Sequence, residues 1–201
     1  MIFEFDHEFP LPREEQEYGF ACEEHERAID RAHGHGGRQI VSWTDNGHAF
    51  HRVFLYRSEV AIPSWLARLI GREVGRSTQT MWYDRSAHAG GYDIVTDPLG
   101  DRFVYRSRFE IVPRGPHSSA RVSRLELDVK LPLPGIRGMV ERRIAGEIQS
   151  RAPLELEATR RFYAETWPRI RTEVMSRWPQ QVILANSGSV EPLDLPVARA
   201  G

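Results

Sequence analysis

The sequence predicts an α+β domain, a curved antiparallel sheet of about six to seven strands wrapped on a long C-terminal helix. Several stretches alternate apolar and polar residues with a period of two, as strands with one wet face do. From Ile136 to about Trp178 the apolar period lengthens to three and four, which is helical. Pro132-Leu133-Pro134-Gly135 separates the two patterns and closes the sheet.

Ile2 to Phe9 sets Phe3, Phe5, His7 and Phe9 against Glu4, Asp6 and Glu8, a half-buried strand ended by Pro10-Leu11-Pro12. Arg13 to about Ala32 is rich in Glu, Ala and Arg and reads as helix, with Tyr18, Ala21, Cys22, His25 and Ile29 as a narrow inner stripe. Gly19 predicts a division into two short helices, and His33-Gly34-His35-Gly36-Gly37 breaks the run. Gln39 to Thr44 and Ala49 to Arg57 form a hairpin around Asp45-Asn46-Gly47, whose Asn-Gly supplies the positive φ a tight turn needs. Ile62 to Gly71 reads as a short amphipathic helix, with Pro63 near its start and Gly71 near its end.

Ser77 to Asp84 and Tyr92 to Thr96 are the next strands, the second opened by Gly90-Gly91. Arg102 to Val112 places Phe103, Tyr105, Ser107, Phe109 and Ile111 on one face, and Arg121 to Leu131 does the same with Leu125, Leu127, Val129 and Leu131. Arg106, Arg108, Arg121 and Arg124 read as an outer basic strip facing Glu110, Glu126 and Asp128. In the last helix Ile136, Val140, Ile144 and Ile148, then Phe162, Tyr163, Trp167, Ile170, Val174 and Trp178, share a face. Pro153 and Pro168 each remove a donor and predict two or three segments. Residues 1–179 form one domain by this reading, and 180–201, without periodicity, a mobile tail.

A net charge of −1 leaves no surplus of cations to neutralise phosphates, so no nucleic-acid partner is expected. Cys22 is the only cysteine, so no intrachain disulfide can form, which fits a cytoplasmic protein. Neither a secretory signal nor an 18-residue apolar run is present. His33 and His35 beside Glu23, Glu24 and Glu26 match no strong metal spacing, and no nucleophile elbow, phosphate loop or dinucleotide fingerprint occurs, so no metal and no cofactor are expected.

A long helix following the last strand buries its stripe in the hollow of the sheet, the START-like (SRPBCC) or helix-grip arrangement. Phe5 to Pro12, Val41-Ser42-Trp43-Thr44-Asp45, Arg52 to Arg57, Ile62 to Gly71 and Val140-Glu141-Arg142-Arg143 resemble a START-like family of high-GC bacteria, the domain of unknown function 2505 family. Pro63, Ser64, Trp65, Leu69 and Gly71 are similar, more distantly, to the PRELI family of mitochondrial phospholipid-transfer proteins. That resemblance implies a lid at 62–71 beside a lipid-filled cavity. The PRELI family sets lysines near the lipid phosphate; here Lys130 stands alone, and Arg52 and Arg143 are the candidates to replace them.

The expected ligand-binding residues are Phe50, Arg52, Phe54, Trp65, Leu69, Phe103, Tyr105, Ser107, Phe109, Ile144 and Ile148. Ligand pockets are mostly apolar with a few placed polar groups, here Arg52, Tyr105 and Ser107. Arg52 between Phe50 and Phe54 needs either a ligand anion or a protein carboxylate. The expected function is non-enzymatic binding or transfer of a lipid or other apolar small molecule, with transient membrane contact through 62–71; oligomeric state stays open. Two alternatives are an enzyme of cyclase, dehydratase or hydrolase type, with His7 near Tyr105 or Ser107, and a structural module with a filled cavity.

Overall fold

The computed structural model describes residues 1–33, 38–57, 76–97, 102–130 and 136–176. The 62–71 helix with Trp65 and Leu69, the Gly-rich loop after His33, and the 180–201 tail lie outside the described residues.

Seven strands form one antiparallel sheet: β1 Ile2–Phe9, β2 Arg38–Asp45, β3 Ala49–Arg57, β4 Arg76–Asp84, β5 Ala89–Asp97, β6 Phe103–Gly115 and β7 Ser118–Val129. Their spatial order is β1-β7-β6-β5-β4-β3-β2. Five of the six pairings join sequence neighbours; the sixth brings β1 back to β7, with Ile2 opposite Glu126 and Phe9 opposite Ser119. The helices are α1 Arg13–Ala21, α2 Glu23–His33, α3 Ile136–Arg161 and α4 Trp167–Ser176, with a π-helical turn at Phe162–Thr166 between the last two.

Side-chain alternation sets the faces. On β3, Phe50, Arg52 and Phe54 point inward, while Leu55 is 46% exposed outside. Inward residues of β6 and β7 meet in register: Ile111 opposite Arg121, Phe109 opposite Ser123, Ser107 opposite Leu125, Tyr105 opposite Leu127 and Phe103 opposite Val129. Asp45 and Asn46 fix the β2–β3 turn: Gly47 N–H donates to Asp45 Oδ1 at 2.9 Å, and Ala49 N–H to Asn46 Oδ1 at 2.8 Å. Gly47 carries the positive φ, 85°.

The first two helices divide at Cys22 rather than at Gly19. Gly19 is required for another reason: a Cβ there would stand 2.4 Å from Tyr163 Cε1, so α1 lies directly against the π-helical turn. Gly90 and Gly91 belong to β5 itself. Without a side chain at Gly90, the rings of Tyr83 on β4 and Phe109 on β6 stack across it, 5.8 Å apart and 10° from parallel.

Pro153 is exposed and lies within α3, which continues past it. The deviation falls at 162–166, where Trp167 N–H bonds back to the Phe162 carbonyl. Pro168, one residue on, cannot donate to residue 164 and its ring crowds that carbonyl; a widened turn relieves both. The apolar stripe therefore serves two places. Val140, Ile144 and Ile148 pack on Leu125, Leu127 and Val129. Phe162, Tyr163 and Trp167 pack with Phe9, Leu11 and Cys22.

The concave face has a second cover. α1 lies over β6 and β7, and α2 runs along α3. Phe20 of α1 enters a cluster of Phe50, Phe54, Met81, Tyr83, Phe109 and Ile111. Burying each such ring contributes roughly 2 kcal/mol. One end of the hollow is thus filled by the N-terminal helices. No described helix is long and apolar enough to cross a membrane.

Candidate functional site

The expected site residues separate into two groups. Phe50, Phe54 and Phe109 belong to the packed end, in one cluster with Phe20. Phe103, Tyr105, Ile144 and Ile148 belong to the other end, each only half-buried, around Leu125, Leu127 and Val129. Ser107 lies between the two on β6.

Arg52 has a protein carboxylate. It is 0% exposed, its Nη1 donates to Glu26 Oε1 at 2.7 Å, and its Nη2 donates to the Ala21 carbonyl. Its guanidinium carbon lies 3.9 Å from the centre of the Trp43 ring and 4.7 Å from that of Phe50. Arg52 therefore ties β3 to the α1–α2 junction. Glu17 is likewise buried, accepting from Tyr83 Oη at 3.0 Å and lying 2.6 Å from His88 Nδ1.

The other end lies between β1, β6, β7 and α3. Tyr92 and Ile94 on β5 face inward opposite Ser107 and Tyr105 and remain half-buried. Burial pushes the Tyr105 hydroxyl pKa up, and Glu155 and Tyr92 add to that. Yet the Tyr105 side chain retains solvent-accessible surface. On the flank, an open groove of about 520 Å³ follows α3 over Arg142, Arg143, Gly146, Glu147, Ser150 and Arg151. Arg143 and Arg151 both pair with Glu147 there, at 3.7 and 3.5 Å.

Arg121 corrects the expected outer strip. Its position has the parity of Leu125 and Leu127, so it faces the hollow, opposite His7 on β1 and Ile111 on β6. Arg106 and Arg108 do lie outside, paired with Asp93 at 3.1 and 3.0 Å, and Arg124 pairs with Glu4 at 3.5 Å. His7 faces inward with its Nδ1 buried and without a partner. Burial holds its imidazole pKa down, assisted by Arg121 and Arg160 and opposed by Asp6 and Glu155.

His25 on α2 is 2% exposed; its Nε2 lies 3.2 Å from Thr159 Oγ1 and its Nδ1 has no partner. Burial lowers its pKa to about 4; Glu26 raises it, and Arg121 and Arg52 lower it further. Cys22 is buried, its thiol pushed up to about 12 mainly by burial, which leaves it a packing residue. Sequence reasoning had named neither Tyr92, Ile94, Glu155 nor the inward Arg121; parity along β5 and β7 was the available signal.

No family model and no curated protein matches the chain. Solved structures match its fold at low identity. Norcoclaurine synthase from Thalictrum flavum aligns with a TM-score of 0.55 at 12% identity, covering 82% of this chain and 87% of that one. TTHA0849 from Thermus thermophilus aligns at 0.52 and 14%, covering 83% and 100%. A START superfamily protein from Mycobacterium smegmatis aligns at 0.45 and 20%, covering 79% and 96%. Seven antiparallel strands in meander order, closed by β1 and gripping a long C-terminal helix, are the START-like helix-grip fold.

Proposed function

We propose that this protein binds a small molecule with a large apolar part in the chamber between α3 and strands β5 to β7, as a carrier rather than a catalyst. The observation that supports this is the half-buried state of Ile94, Phe103, Tyr105, Ile144 and Ile148. They lie on the inner face or on the helix above it, whereas at the other end Phe50, Phe54, Met81, Tyr83, Phe109 and Ile111 are fully buried. A START-like relative in fold, norcoclaurine synthase, has been solved with dopamine and hydroxybenzaldehyde bound. Segment 62–71 is proposed to admit the ligand and to touch the membrane.

Native mass spectrometry of protein purified from cells tests the reading. The expected result is a bound molecule that organic extraction removes and lipid extract restores. Ile148→Trp, which fills the chamber, should abolish uptake while leaving the fold intact. An empty protein that takes up nothing after delipidated refolding overturns the proposal.

A second reading, an enzyme of cyclase, dehydratase or hydrolase type, draws on the inward His7 with its unpartnered Nδ1. Tyr105 faces the same hollow, and Glu155 acts on both. If the protein is an enzyme, His7→Gln protein from the same cells would carry unconverted substrate. Identical molecules in both proteins remove this reading.

A further inference from the structure

The concave face holds two arginines treated in opposite ways. Arg52 is matched by Glu26. Arg121 is half-buried, and among the described residues no carboxylate lies within ion-pair distance of it. Its described neighbour is an aromatic face: the guanidinium carbon lies 5.8 Å from the centre of the Phe20 ring. An inward cation without a counter-charge is costly, and a folded protein normally supplies one.

Two further polar atoms are left over in the same region. His7, directly opposite Arg121 on β1, has a buried Nδ1 without a partner. His25 has a second, on a side chain that is 2% exposed. Buried polar atoms without partners are uncommon, and two beside an unmatched cation indicate a group supplied from outside. Ser123, next on the inner face of β7, adds a half-buried hydroxyl. Glu155 acts on His7, His25 and Tyr105 from α3, and it has interactions of its own.

We infer that the chamber ligand is an amphiphile with an anionic head, a carboxylate or a phosphate, held by Arg121 with His7 and His25 beside it. This deepens the function proposed above and rests on it. The apolar tail leads away over Ser107 and Tyr105 toward Phe103, beneath Ile144 and Ile148. From Arg121 to Leu127, opposite Tyr105, the strand rises roughly 20 Å, room for an extended chain. A charge-assisted contact of this kind discriminates an anion from its neutral analogue by roughly ten- to a hundredfold.

The test compares dodecanoate, dodecyl phosphate and dodecan-1-ol by titration calorimetry on the full chain, below their micellar concentrations. At least one acid should bind roughly ten- to a hundredfold more tightly than the alcohol. The tighter of the two acids assigns the head as carboxylate or phosphate. Arg121→Gln should reduce the acids to about the alcohol's affinity, and Arg121→Lys should retain part of the preference. Equal binding of acids and alcohol overturns this inference alone, as does a preference that survives in Arg121→Gln. Uptake of none of the three overturns it together with the proposed function. The wild-type comparison decides the matter even if a variant fails to fold.

Discussion

Arg52 and Arg121 face the same hollow from strands of the same sheet, yet one is matched by the protein and the other is not. Around Arg52 everything is closed: Glu26 neutralises it, Trp43 and Phe50 flank it, and Phe20 fills the space beyond. Around Arg121, which is itself half-buried, polar atoms are left over and no carboxylate pairs with it among the described residues, although Ile111 and Phe20 beside it are buried. By the inference above, the difference separates a charge used for folding from one kept for binding.

The largest expected effect breaks the closed side. Glu26→Gln leaves the Arg52 charge buried without its counter-charge and should cost about 3–5 kcal/mol, read by urea denaturation. Ligand affinity should survive in whatever fraction folds.

The next effect comes from His25. Its folded pKa, about 4, lies below the ordinary 6.5, so between these values the native imidazole is neutral while the unfolded one takes up a proton. The His25 contribution to stability should therefore fall as pH drops from about 6.5 to about 4, by an amount on the order of 3 kcal/mol, and level off below. His7, lowered in the same direction, adds to this slope. His25→Gln should flatten the profile measured by denaturation across this range; an unchanged slope would place the imidazole in contact with water.

The smallest effect sharpens the open side. Arg121→Met removes an unmatched charge and should stabilise the empty protein by about 1 kcal/mol. Because Arg121 lowers the pKa values of His7 and His25, both imidazoles should titrate at higher pH in this variant, as followed by NMR. Destabilisation would show that the protein itself supplies Arg121 with a partner.

The sheet was legible because its alternation is local: Phe103 to Ile111 and Leu125 to Val129 declare their inner face within a few residues. Arg121 was legible by the same parity and was obscured by grouping it with Arg106, Arg108 and Arg124 by charge. The plug at the closed end was not legible. Glu17 and Glu26 fall outside the apolar stripe of the helix pattern, and their burial depends on Tyr83, His88 and Arg52, which lie 26 to 71 residues away. Such pairings leave no periodic trace. The cavity was expected between the sheet and the last helix, with no account taken of the cover that α1 and α2 add. Likewise Pro153 suggested a break, whereas the helix is perturbed at 162–166, ahead of Pro168.

The strand that completes the sheet is also the first to be made. β1 finds its hydrogen-bonding partner only in β7, and Gly19 meets Tyr163 only when the last helices exist. At a synthesis rate of about 5–20 residues per second, Phe3, Phe5 and Phe9 wait on the order of ten seconds for cover. A nascent chain in this state offers a sticky ribbon to its neighbours, so yield during expression should respond to translation speed and holdase supply more than to the stability of the finished fold.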